Sequence, residues 1–133
     1  MSSLQSYSVL VADDDSRCRE SVRALLEQQG MQTFTAVGGV EALDFVQERS
    51  VHLVILDQWM PDLTGIETLK RITEIKQQIP SIIMSGESTN ETKLEAMNAG
   101  AYAFISKPIQ SGIMKHAVQQ AIDRYYLKTK RRQ

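Results

Sequence analysis

The sequence has one cysteine, Cys18, in 133 residues. A lone thiol excludes an intramolecular disulfide and a cysteine cluster for zinc, and a reducing, cytoplasmic setting fits it best. An excess of one charge is missing too: fifteen Lys and Arg face sixteen Asp and Glu, for a formal net charge of -1. That balance gives no general electrostatic reason to bind nucleic acid or an anionic membrane, so neither is expected as a direct partner. No apolar run approaches the roughly 18 residues of a membrane span. The opening MSSLQSY has neither a basic segment nor an apolar stretch of signal-peptide length. Internal repeats and low-complexity segments are also missing.

What is there is ordinary globular material, 42% hydrophobic and 23% charged, which argues against disordered and collagen-like classes. The length suits one domain with a sizeable core, expected over residues 1–127. A basic tail or the start of a linker, KTKRRQ, is expected over 128–133; its cations fit a solvated helix end better than a nucleic-acid contact. Strand-length apolar runs fall at 7–12 (YSVLVA), 51–56 (VHLVIL), 81–84 and 102–105, with a more polar candidate at 31–37. Helical spacing lies between them. Cys18, Val22, Leu25 and Leu26 share one face over 16–29 and Gly30 follows as a stop. Residues 38–49, 65–78 and 91–100 behave similarly, and Ile113, Ala117, Ala121 and Tyr125 lie four apart in the last segment. His52 is read as part of the third strand and His116 as part of this last helix, both structural. Five strand-helix alternations predict an α/β domain, its mainly parallel sheet covered by helices on both faces. The continuously apolar runs belong in its centre and 31–37 at an edge.

In open parallel sheets the ligand crevice lies beyond the carboxyl ends of the strands. The residues after the apolar runs therefore form the candidate site: Asp13, Asp14 and Asp15; Asp57; Ser85 and Gly86; Ser106, Lys107 and Pro108. Singly, each has an ordinary reading. Asp15 or Ser16 suits a helix N-cap, Asp57 a turn before Pro61, and Lys107-Pro108 a strand exit. Their coincidence at four strand ends points further. Crowded carboxylates repel one another unless a cation intervenes. With only oxygen ligands on offer and no spaced calcium loop, Mg2+ suits the site better than calcium. A lysine and a hydroxyl facing a metal-bound carboxylate are what a phosphoryl group needs, so the pattern predicts phosphoryl transfer onto Asp57. Asp57 is accordingly expected to be held ionised and exposed, and Cys18 to be core filler.

These residues carry a resemblance. VLVADDD, VILDQWMPDLTG, IIMSG and AGAYAFISKPI occur in the order and spacing of the receiver domain of two-component response regulators, and the similarity extends over residues 7 to about 126. The resemblance implies a flavodoxin-like, doubly wound five-stranded parallel sheet of order 2-1-3-4-5, the order for which a chemotaxis receiver is a standard example. Asp57 falls on the phospho-accepting aspartate. Asp13 and Asp14 fall on the acidic pair that holds Mg2+, and the backbone carbonyl of Trp59 on a further metal ligand. Ser85 matches the hydroxyl residue that reaches the phosphoryl oxygens, Lys107 the lysine that pairs with them, and Lys107-Pro108 is a candidate cis bond. Phe104 matches the aromatic that turns inward when the hydroxyl residue moves, which changes the surface of the fourth helix, fifth strand and fifth helix.

Some positions depart from the family pattern. Ser85 replaces the commoner threonine, keeping the hydroxyl and losing a methyl. Phe104 has no hydroxyl to signal through. Trp59 and Glu87 occupy variable sites that tune phosphoryl lifetime, and the bulk of Trp59 is expected to shield the acyl phosphate. The function implied is a non-enzymatic switch that takes a phosphoryl group from a histidine kinase or phosphotransfer protein. It would act on a downstream target or output domain, with a homodimer through the same surface as one option. An inert pseudo-receiver acting as a binding or dimerisation module is the alternative. A Mg2+-dependent phosphohydrolase fits less well, because Gln58 and Trp59 follow Asp57 where such enzymes show aspartate-x-aspartate.

Overall fold

The structure is a computed structural model that describes residues 4–76 and 78–127. Five strands, β1 (Ser8–Ala12), β2 (Gln32–Ala36), β3 (Leu53–Asp57), β4 (Ser81–Ser85) and β5 (Ala103–Ser106), pair in parallel in the order β2-β1-β3-β4-β5. Helices α1 (Ser16–Gln28), α2 (Gly39–Glu48), α3 (Gly65–Ile75), α4 (Asn90–Asn98) and α5 (Ser111–Ile122) alternate with them. The expected α/β class and strand order are both present. β1, β3 and β4 are buried at every residue, whereas β2 is mixed and lies at an edge.

The sheet's two faces build separate cores because successive strand side chains point to opposite sides. Val9, Val11, Ile55, Met84 and Ile105 pack under α1 and α5 with Leu26, Met114 and Val118. Leu10, Ala12, Val54, Leu56 and Ile83 pack under α2, α3 and α4 with Val46, Leu69 and Ala96. Local chemistry sets the helix ends. Asp15 caps α1 by accepting from the Arg17 N–H at 3.0 Å, and Thr64 and Glu67 form a reciprocal capping box on α3. Gly30 and Gly100, at φ of +91° and +102°, stand two residues past α1 and α4, where the left-handed turn favours glycine.

Two expectations change. The last helix continues as a π-helical turn, Asp123–Leu127, and α5 buries Met114, Val118, Ala121 and Ile122, while Ile113 is 51% exposed. A four-residue spacing drifts around a helix of 3.6 residues per turn, so the 114-118-121-122 stripe faces the sheet more steadily. His52 precedes β3 instead of lying in it. Its ring Nδ1 accepts the Ser8 N–H at 3.0 Å while the His52 backbone N–H donates to the Ser8 carbonyl at 3.0 Å. A side chain thus supplies the acceptor that a regular ladder would take from backbone. The stretch 128–133 lies outside the described residues.

Candidate functional site

Strand parity decides which strand-end residues meet. Asp13 continues the Val9-Val11 face, Asp57 the Leu53-Ile55 face and Lys107 the Ile105 face, all on the α1/α5 side. Each is held in the ladder's extension: Asp13 N–H donates to the Ala36 carbonyl, and Lys107 N–H to the Ser85 carbonyl. The Lys107 Nζ lies 3.0 Å from Asp13 Oδ2 and 3.0 Å from Asp57 Oδ1. Asp13, Asp14 and Asp57 offer carboxylate oxygens within 4.8 Å of one another. The Lys107-Pro108 bond is cis.

Asp57 is 4% exposed, against the expectation of an exposed carboxylate. It is the last residue of a strand flanked on both sides, and the Lys107 ammonium closes over it. Burial pushes its carboxyl up to about 6, helped by the charges of Asp13 and Asp14 and opposed by Lys107. At neutral pH it is mostly ionised. Burial works to lower the Lys107 ammonium, but hydrogen bonds to Asp57 and Asp13 outweigh it and hold this group above its usual range. Asp14 is exposed beside the buried pair.

The donor set fits a hard cation. Among the described residues, three carboxylates with oxygen ligands only share a space with the Lys107 ammonium, and their mutual repulsion is what a divalent ion relieves.

Ser85 and Phe104 lie on the other side of the sheet. Ser85 continues the Ile83 face, and Phe104, paired with Ile83, is its diagonal neighbour, half-buried against the second core. The buried Ser85 hydroxyl donates to the Glu87 carbonyl and accepts the Glu87 N–H, both at 3.0 Å. Its hydroxyl is thus engaged within its own turn. Glu87 is exposed in the β4–α4 loop, whose Ser88 hydroxyl donates to that of Ser106 at 2.5 Å. Trp59, 52% exposed, stands in the β3–α3 loop.

Residues 9–119 match the response regulator receiver domain family. The chain belongs to that family. The receiver is 32% identical over 120 residues to response regulator RR06 of Streptococcus pneumoniae, covering 90% of this chain and 55% of RR06. The solved receiver domain from Clostridium thermocellum superposes with a TM-score of 0.85 at 32% identity, over 91% of this chain and 98% of that one. The beryllofluoride-activated NtrC4 receiver domain dimer gives 0.85 at 30% identity, over 89% and 98%. The chain spans 55% of the length of RR06, and between 23% and 58% of the length of the most similar curated relatives. Receivers are signalling switches of two-component systems, not classed as enzymes.

Several residues that the sequence does not assign to the site also border it. Cys18 is partly buried and its thiol hydrogen-bonds to Asp13; burial first, then that bond, push the thiol up to about 12, so it stays protonated. It is therefore a neighbour of the receiver's acidic pair as well as core filler. Arg19 Nη1 donates to the Asp13 carbonyl at 2.8 Å. The buried Gln58 side chain accepts the Ile66 N–H at 2.9 Å. Helical period brings Cys18 and Arg19 near the end of β1, but nothing in their residue types marks them.

Proposed function

We propose that this receiver is a phosphorylation-dependent switch that accepts a phosphoryl group on Asp57 from a phosphohistidine of a histidine kinase or phosphotransfer partner. The observation that carries this reading is the placement of the Asp57 carboxylate, ringed by Asp13 and Asp14 and 3.0 Å from Lys107 Nζ. An Asp57 oxygen attacks phosphorus; the P–O bond forms, the P–N bond breaks, and the leaving imidazole keeps the electron pair and takes a proton from solvent. Asp13, Asp14, Asp57 and the Trp59 carbonyl would hold Mg2+, which when bound neutralises the crowded carboxylates and the charge on the transferring group. Lys107, freed from Asp57 as the acyl phosphate forms, pairs with the phosphoryl oxygens.

Ser85 would leave its turn with Glu87 to bond those oxygens, and Phe104, its neighbour on the same face, would move into the space. The signal would emerge on the α4-β5-α5 surface, where Leu94, Met97 and Ile113 are exposed. A downstream target, an output domain or a second copy of the chain would bind there. Trp59 at the rim would screen the acyl phosphate from water, with Glu87 as a second lifetime-tuning position.

Incubation with a small acyl phosphate and magnesium chloride tests this. Intact mass is expected to show a gain of one phosphoryl group, abolished in Asp57→Ala. Continuous release of phosphate at high turnover would indicate a hydrolase, and no change an inert module.

A further inference from the structure

The start of α2 has an unusual cap. Gly38, at its N-cap, has no side chain to offer the free N–H groups. They are met from the β3–α3 loop: Asp62 accepts the Gly39 N–H on Oδ1 and the Val40 N–H on Oδ2, each at 3.0 Å, across more than twenty residues of sequence. The same carboxylate accepts the Leu63 N–H at 2.7 Å. Both oxygens are thus engaged, and a helix N-terminus is where a carboxylate is electrostatically favoured. The fit is close from the other side as well. A Cβ on Gly38 would lie 2.9 Å from each Asp62 carboxylate oxygen, and one on Gly39 would collide with Leu63 and the Thr68 hydroxyl.

This clamp falls on the loop that carries Trp59. Gln58 anchors the near end, through its side chain to the Ile66 N–H and its carbonyl to the Gly65 N–H. Asp62 is the tether of the far end, four residues on. Trp59, Met60 and Pro61 span the interval, so the direction of the Trp59 carbonyl depends on where both ends are fixed. We infer that Asp62 is a positioning residue: by capping α2 across space it holds the β3–α3 loop so that the Trp59 carbonyl faces the Asp13-Asp14-Asp57 cluster. This rests on the reading of that cluster as a magnesium-dependent phosphoacceptor site. It ties α2 to the metal's backbone ligand, although α2 itself contributes no side chain to the cluster.

The test is a titration of the full chain with magnesium chloride, without phosphodonor, followed by the backbone amide shifts of residues 13, 14, 59, 60, 62 and 63. Amide hydrogen exchange is read on the same metal-free samples. Asp62→Ala is expected to bind magnesium about tenfold more weakly than wild type, the scale of loss typical of residues that orient metal ligands. Gly39 and Val40 amides should exchange faster. Gly38→Ala, which disturbs the clamp from the α2 side and leaves the loop sequence intact, should weaken magnesium in the same direction; it carries the test if Asp62→Ala fails to fold. Tyr126→Phe, at the opposite end of the sheet, should leave magnesium affinity unchanged. Faster exchange at Gly39 and Val40 with magnesium affinity within about twofold of wild type would overturn the inference, leaving Asp62 a helix cap only. A wild-type chain that shows no shift with magnesium would overturn the phosphoacceptor reading and the inference with it.

Discussion

At the scale of single residues, Asp57 sets function against stability. Its folded carboxyl is raised from 3.8 to about 6, chiefly by burial. Between these values the folded chain holds a proton that the unfolded chain has lost, so this group's contribution to stability falls as pH rises from about 4 to about 6 and stays low above. Removing the charge should restore it. In chelator at about pH 7.5, Asp57→Asn is expected to be more stable than wild type by about 1–2 kcal/mol, less than the full shift would give because of solvent screening. Near pH 4 the difference should vanish. Denaturant unfolding at the two pH values checks both, and equal stability at the higher one would refute the account. Trp59 invites a kinetic test. If its half-exposed ring screens the acyl phosphate, Trp59→Asn should lose phosphate about tenfold faster, equivalent to some 1.4 kcal/mol of barrier, in a phosphate-release assay after the donor is removed.

At the scale of elements, the opposite end of the sheet has its own fastening. The Tyr126 hydroxyl, on the π-helical turn after α5, donates to the His52 carbonyl at 2.6 Å, and the His52 ring stands edge-on to Tyr7 and Tyr126 at 4.9 and 5.2 Å. Tyr126→Phe should lower unfolding free energy by about 1 kcal/mol and leave phosphoryl gain on Asp57 unchanged, as judged by denaturant titration beside intact mass. Burial lowers the His52 imidazole below its ordinary 6.5, the opposite sense to Asp57. Its stability contribution is present above 6.5 and lost as pH falls below, where the unfolded chain takes up the proton first. A His52→Asn variant, which keeps an acceptor for the Ser8 N–H, should lose that slope in thermal unfolding at about pH 5 to 8.

At the scale of the molecule, three carboxylates and one lysine converge from three strand ends, so a cation that binds there stabilises the whole fold. Magnesium at ten times its dissociation constant should add about 1.4 kcal/mol. Asp14→Ala, which removes an exposed carboxylate and spares the core, should lose most of that gain in differential scanning calorimetry while unfolding normally in chelator. Equal stabilisation of the variant would place the ion elsewhere.

Strand-helix alternation, the continuous apolar runs of β1, β3 and β4, the glycine stops at 30 and 100 and the polar residues at strand ends were all legible in the chain, because they depend on local period and on what ends an apolar run. Through the family motifs so were the strand order and the cis Lys107-Pro108 bond. Four features were not: the burial of Asp57, the Cys18 and Arg19 contacts to Asp13, the start of β3 at Leu53, past His52, and the capping of α2 by Asp62. Each joins residues that the sequence keeps apart or gives no distinguishing type. The sequence by itself determined which elements form and which chemistry gathers at the strand ends, since period and residue type act locally. Only the tertiary structure decided that Asp13, Asp57 and Lys107 share one face while Ser85 and Phe104 take the other, and that Asp62 reaches Gly39 and Val40. Strand register, side-chain parity and burial exist only once the sheet has closed its ladder.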